Sequence, residues 1–300
     1  MGGKQAGTHW RAKGTMQVPL LVTAEWLEAH LYDTELRVAD VRWSLLEQEK
    51  GRNAYAQAHV PGAVFLDLDA ELASPRGDGP GRHPLPSATA FAASMARAGI
   101  STGTHVVAYD FGDGSTAARL WWLLRYFGHE RVSLLDGGIA RWTAEGRSLE
   151  SPARAHPPGD FTPRPHPGML VDAATVERWR SDPRTLILDA RAAERYEGKV
   201  EPIDPVAGHI PDAKSHPYPT NVRSPEDPRF LEPERLRAHF VRLGADRAER
   251  VICYCGSGVN ACQNVFALQV AGFMTGLLYE GSWSDWCNVP TRAMRTGSEP

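Results

Sequence analysis

The chain repeats itself, and that repetition constrains its fold more than any other feature. VADVRW begins at Val38, and nineteen residues after Asp40 comes His59 in HVPGA; ILDARA begins at Ile187, and twenty residues after Asp189 comes His209 in HIPDA. The parallel continues downstream. THVVAYD, ending at Asp110, answers ERVICYC, ending at Cys255; STAARLWWLLRYFG answers VNACQNVFALQVAG; LLDGGIARW answers LYEGSWSDW. In this later part the copies are offset by 144 or 145 residues. So long a period describes tandem globular domains, since stacked solenoid units run only roughly 20 to 45 residues. A length of 300 residues agrees, being more than one hydrophobic core usually supports.

Within each copy, short apolar runs (RVAD, HVVAYD, SLLD; TLILDA, RVICYC, GLLYE) alternate with helix-like stretches such as ATAFAASMARAGI and PERLRAHFVRLG. Strands apolar on both faces, each followed by a helix, predict an α/β domain whose mostly parallel sheet is flanked by helices. Ligands in such sheets bind at the carboxyl ends of the strands. The stretch from Gly146 to Gly168, rich in proline and without apolar periodicity, reads as the connection. The expected organisation is therefore a tail over 1–16, a first domain over 17–150, a linker over 151–168, a second domain over 169–290 and a closing tail over 291–300.

Composition narrows the class. With 33 Lys and Arg against 36 Asp and Glu, and no basic run, nucleic acid is not an expected partner. No apolar stretch approaches the roughly 18 residues a membrane span needs, and the opening MGGKQAGTHWRAKGTMQ lacks a secretory signal's apolar core, so a soluble, cytoplasmic protein is expected. Four cysteines in such a chain read as reduced thiols.

Three of those cysteines crowd into CYCGSGVNAC, residues 253–262. The expected strand ends at Tyr254, GSGVN forms a tight loop and a helix starts at Ala261, so Cys255 sits at a strand's carboxyl end facing a helix N-terminus. Backbone amides arranged this way stabilise an anion, and cysteines there are often thiolates at neutral pH. Cys253 and Cys262 fit the alternating interior of the strand and the first helical turn, and Cys287 also reads as structural. The spacing lacks the paired cysteines or histidines of a zinc site, and no metal is expected.

The doubled domain, the D-A-R and H-I-P-x-A signatures and CGSGVNA from Cys255 resemble the two-domain rhodanese family of sulfurtransferases, in particular its mercaptopyruvate branch. The likeness runs from about Val18 to Val289. The resemblance implies two tandem rhodanese-like domains, the second catalytic and the first an inactive copy. Asp110, standing where Cys255 would be, agrees with that division. It further implies transfer of sulfur through a Cys255 persulfide, from a small-molecule donor to a thiol such as thioredoxin or to cyanide, with no cofactor.

The resemblance also assigns residues. Ser257 would work with a first-domain histidine as a proton relay; the expected match is His59, although His209 at the equivalent place leaves an anchoring role equally open. No carboxylate for that relay aligns. Gly256, Gly258, Val259 and Asn260 would line the donor's sulfur and Arg195 would bind the donor's carboxylate; Arg191, nearby in the D-A-R signature, would either join it or form a structural ion pair with Asp189 or another loop carboxylate. A second family arginine has no match, because Ile203 stands there. Neutral Gly256 and Ser257, where the thiosulfate branch carries Arg and Lys, favour mercaptopyruvate, whereas Ile203 argues against it. Thiosulfate as donor, or a non-enzymatic sulfur carrier or redox sensor using Cys253 or Cys262 as a second thiol, are the alternatives. A phosphatase of related fold would need an arginine six residues after the cysteine, where Ala261 stands. The segment GDGPGRHPLP, residues 77–86, reads either as the border of a cleft or as a surface loop.

Overall fold

The computed structural model describes residues 18–300, so the expected tail over 1–16 lies outside the described residues. The first domain contains β1 (Leu21–Val22), α1 (Ala24–His30), β2 (Leu36–Asp40), α2 (Lys50–Gln57), β3 (Val64–Phe65), α3 (Leu68–Glu71), α4 (Ala88–Arg97), β4 (His105–Tyr109), α5 (Ser115–Tyr126), β5 (Val132–Leu135) and α6 (Gly138–Ala144). The second contains β6 (Leu170–Val171), α7 (Ala173–Trp179), β7 (Thr185–Asp189), α8 (Ala193–Tyr196), β8 (Ala213–Ser215), α9 (Pro233–Leu243), β9 (Arg250–Tyr254), α10 (Ala261–Val270), β10 (Gly276–Tyr279) and α11 (Ser282–Trp286).

Each domain is one five-stranded sheet, ordered β1-β5-β4-β2-β3 and β6-β10-β9-β7-β8, and the strand pairs are parallel. The apolar runs explain the burial. Every residue of β4 and all of β9 after Arg250 are buried, as strands covered on both faces must be. Asp110 and Cys255 come immediately after these two central strands, so the duplicated architecture delivers both residues to the same place in their sheets.

The two domains share a core. Helices α5 and α10, which follow the central strands, are buried from Thr116 to Leu124 and from Ala261 to Leu268. These largely apolar helices are covered on every side, each by its own sheet and by the other helix. Trp121 meets Phe266 edge to face at 5.0 Å, and Phe230 meets Phe266 at 5.1 Å, in a cluster that draws on both domains. The opposite face of each sheet packs a cluster of its own.

The connection from 145 to 166 has no helix and lies along the first domain, with Gly159 N–H donating to Ala96 O at 2.8 Å and Phe161 buried. Glu150 pairs antiparallel with His59, and Arg295, from the closing residues, pairs the same way with His209. No helix among the described residues is long and apolar enough to cross a membrane.

Candidate active site

Cys255 is only 4% exposed. Its loop is tied to the start of α11: Ser282 Oγ accepts from Cys255 N–H at 3.1 Å, Trp283 N–H donates to Cys255 O, and Ser284 N–H donates to Gly256 O, both at 2.9 Å. Ser257 N–H lies 3.5 Å from the Cys255 sulfur. Gly258 turns the loop at φ +78°, where a side chain would strike Glu280 O at 2.4 Å, so only glycine fits. Asn260 opens α10 without a side-chain capping bond.

The first domain displays what such a loop does with an anion. The Asp110 carboxylate accepts from the amides of Gly112, Gly114, Thr116 and Ala117 at 2.9–3.1 Å, and Thr116 Oγ1 lies 3.3 Å away. There the anion is built into the chain and fills its own nest. Asp110 thus holds closed in one copy the kind of place that Cys255 occupies in the other.

The histidine beside Ser257 is His83. Its Nδ1 lies 2.7 Å from Ser257 Oγ, and its Nε2 lies 3.3 Å from Asp69 Oδ1. With Nε2 carrying a proton toward the carboxylate, Nδ1 is free to accept the serine hydroxyl proton. Trp43 Nε1–H donates to the other Asp69 oxygen at 2.8 Å, and the Trp43 ring stands edge-on to the imidazole at 5.4 Å. The bond from His83 chiefly holds the Asp69 carboxyl below its ordinary value, with Trp43 adding to the effect. Asp69, His83 and Ser257 are therefore linked side chain to side chain across the domain boundary, and the backbone N–H of that same serine faces the Cys255 sulfur.

His59 is elsewhere, which corrects the expected pairing with Ser257. Its Nδ1 lies 2.8 Å from Tyr55 O and its ring stacks on Tyr55 at 4.2 Å. His209 does the same with Tyr196, at 2.8 and 3.8 Å. Two copies with the same contacts share an anchoring function, namely fixing the chain that enters the sheet's edge strand.

Arg191 is likewise spent inside the fold, in the ion pair with Asp189 rather than in a donor contact. It grips Asp189 through both oxygens at 2.6–3.1 Å, donates to Gly208 O at 2.6 Å and covers Trp283, with only 1% of its side chain exposed. Arg42 holds Asp40 and Ala58 O identically in the first copy. The D-x-R signature is thus a structural ion pair.

Arg195 does reach the loop. Its guanidinium pairs with Glu201 at 2.7 Å and Asp204 at 3.1 Å, and its terminal nitrogens lie 3.6 and 3.8 Å from where a side chain on Gly256 would begin. Beside it is an arginine the sequence did not single out. Arg82 Nη2 lies 2.8 Å from that same Gly256 position, its Nη1 pairs with Asp204, and its backbone N–H donates to Ser284 Oγ at 3.1 Å. Two guanidinium groups, Arg82 from the first domain and Arg195 from the second, face each other across Gly256. The absence of a side chain at 256 is what admits them.

Cys253 and Cys262 are fully buried, and burial pushes both thiols up, Cys262 to about 12. Cys287 is pushed to about 11 for the same reason. Neutral thiols packed in a core are poor nucleophiles.

Asp69, Arg82 and His83 were not singled out individually because they lie between β3 and α4, on the one-turn helix α3 and in the loop over 77–86, where no periodicity marks a residue. A signal was present nonetheless: FLDLDA and GRHPLP have no counterpart in the second copy.

Comparison with known proteins agrees with this fold. Residues 23–145 and 172–289 each match the Rhodanese-like domain family. A Pseudomonas aeruginosa protein with a provisional 3-mercaptopyruvate sulfurtransferase name is 45% identical over 280 residues, covering 92% of this chain and 98% of its own. A Mycobacterium tuberculosis protein with a provisional thiosulfate sulfurtransferase name, SseB, is 39% identical over 283 residues, covering 93% and 98%. The crystal structure of SseA, a 3-mercaptopyruvate enzyme from Escherichia coli, superposes with a TM-score of 0.78 at 33% identity, over 89% of this chain and all of that one. The chain belongs to the rhodanese family, as two rhodanese-like domains sharing one core.

Proposed function

We propose that this protein moves sulfur from 3-mercaptopyruvate to a thiol acceptor through a persulfide on Cys255. The observation that carries the reading is the Asp69–His83–Ser257 side-chain series set beside the buried Cys255 sulfur. The Cys255 thiolate attacks the donor's sulfur, an S–S bond forms, and the C–S bond breaks with its electron pair remaining on carbon as the enolate of pyruvate. That carbon needs a proton. Ser257 gives its hydroxyl proton, the donor's own thiol proton replaces it by way of His83 Nδ1, and Asp69 steadies the imidazolium formed in passing. An acceptor thiolate then attacks the outer sulfur and returns Cys255 to its starting state. Nucleophile and proton source are both side chains, so the chemistry calls for no cofactor.

Arg82 and Arg195 bind the donor's carboxylate, a planar anion suited to guanidinium. Arg82 stands in for the second arginine missing at Ile203. The acceptor is a small thiol or the exposed cysteine of a protein of the thioredoxin kind. Four unpaired cysteines fit a reducing compartment such as the cytoplasm.

Thiosulfate is the second reading, favoured by two cations beside a neutral loop and by the name of the M. tuberculosis relative. The relay separates the two, because sulfite leaves thiosulfate without needing a proton on carbon. The test is turnover of both donors by wild type and by Cys255→Ser, with mass analysis after loading by donor alone. An added ~32 mass units on the Cys255 peptide is expected; the same mass on Cys253 or Cys262, or turnover surviving Cys255→Ser, overturns the reading.

A further inference from the structure

The relay is assembled from three separate segments, and one side chain touches the backbone of each. Arg119, on α5, is fully buried. Its Nε and Nη2 donate to Leu72 O at 3.3 and 3.2 Å, its Nη2 also donates to His83 O at 3.1 Å, and its Nη1 donates to Gly258 O at 3.2 Å. Leu72 closes the short helix that carries Asp69, His83 is the relay histidine itself, and Gly258 follows Ser257. A single guanidinium therefore holds the carbonyls beside all three members of the relay, two in its own domain and one across the boundary.

We propose that Arg119 is the positioning residue that sets the Ser257–His83–Asp69 geometry across the two domains, an inference that rests on the reading of those residues as a proton relay. Contacts of 2.7 and 3.3 Å leave little tolerance, since a hydrogen bond weakens steeply once its partners separate further or tilt. A planar cation with a fixed fork of donors sets the angles between three carbonyls, which a flexible ammonium would not. Four hydrogen bonds from Arg119 go to backbone carbonyls, while the Glu280 carboxylate and the Cys262 thiol lie within its electrostatic reach. Other tethers hold the 82–85 segment on the second domain, Arg82 N–H to Ser284 Oγ at 3.1 Å and Leu85 N–H to Glu280 at 3.2 Å. Loss of Arg119 would thus misalign the relay while leaving the loop attached.

The duplication supports a boundary-crossing role. The matching residue in α10 is Gln263, whose Nε2 donates to Asp113 O at 2.9 Å in the first domain's Asp110 loop. Each interface helix sends one side chain from this position into the other domain's loop. Only the direction from Arg119 leads to a loop with a reacting sulfur.

The experiment is a double-mutant cycle on full-length protein with 3-mercaptopyruvate, using Arg119→Lys, His83→Ala and the pair. Arg119→Lys should lower kcat about 100-fold with KM within about threefold, and should shift the pH profile of kcat. In the His83→Ala background the same change should cost less than about threefold, because the relay it positions is already gone. Should the lysine variant fold poorly, Arg119→Gln, which places the other copy's residue here, takes its place in the cycle. Multiplying effects in the double variant, or a kcat for the single variant within twofold of wild type, would overturn the proposal. Wild-type protein inactive with 3-mercaptopyruvate would instead overturn the underlying functional reading, so the two failures are distinct.

Discussion

Replacing His83 by alanine separates the two candidate donors. The change removes the nitrogen 2.7 Å from Ser257 Oγ and the partner 3.3 Å from Asp69, leaving the serine without the imidazole that relays its proton. Positioned acid–base catalysis contributes about 10²- to 10⁴-fold, or roughly 2.7 to 5.4 kcal/mol of barrier. That loss should fall on kcat with 3-mercaptopyruvate, where the departing carbon must be protonated. It should spare transfer from thiosulfate, since sulfite departs as a stable dianion. The expected result is therefore a donor-dependent defect: kcat down at least 100-fold with mercaptopyruvate and within about fivefold of wild type with thiosulfate. The assay is initial rates with both donors and cyanide as common acceptor, alongside alkylation of Cys255 to verify that the thiol remains reactive. Equal losses with both donors would refute the argument, because they would place His83 on the sulfur rather than on the leaving carbon.

Three further expectations follow from the same geometry. Arg82→Ala and Arg195→Ala should each raise the KM for mercaptopyruvate about 10- to 150-fold, the equivalent of one lost charge-assisted contact of roughly 1.5 to 3 kcal/mol, with kcat little changed; steady-state kinetics checks this. Arg191→Met should leave KM alone and lower stability by about 3 to 5 kcal/mol in denaturant titration, because it strands the buried Asp189 carboxylate. Burial pushes the Asp136 carboxyl up to about 6 although it accepts from Phe230 N–H at 2.8 Å, so its ionised form is disfavoured in the fold and wild type loses stability as pH climbs from about 4 through 6. Asp136→Asn keeps the acceptor and removes the charge; it should be roughly 1 to 2 kcal/mol more stable than wild type at pH 8 and no more stable at pH 4, as read from denaturant midpoints.

Much of the architecture was legible before any coordinates. The strand over 250–254 and the helix from Ala261 follow from an apolar run and a glycine-rich turn, both local, and the observed β9 and α10 have those limits at the loop. Cys255 stood out because Asp110 replaces it in a copy with the same fold. The same comparison, applied to every residue, would have sorted the rest. His59 has its twin in His209 and Arg191 has its twin in Arg42, and paired residues serve what the copies share, which is the fold. Arg195 has no twin, since the residue before Tyr55 is Ala54 where the residue before Tyr196 is Arg195.

What the sequence determined by itself was therefore the doubled α/β frame and the position of one thiol, because periodicity, turn chemistry and self-similarity act over short distances along the chain. What only the tertiary structure decided was the company that thiol keeps. Ser257 and His83 are 174 residues apart, and they meet because two largely apolar helices must bury each other, which swings the irregular 72–86 segment of one domain over the loop of the other. No spacing in the chain encodes that meeting. It is a consequence of how two copies of one fold close over a common core.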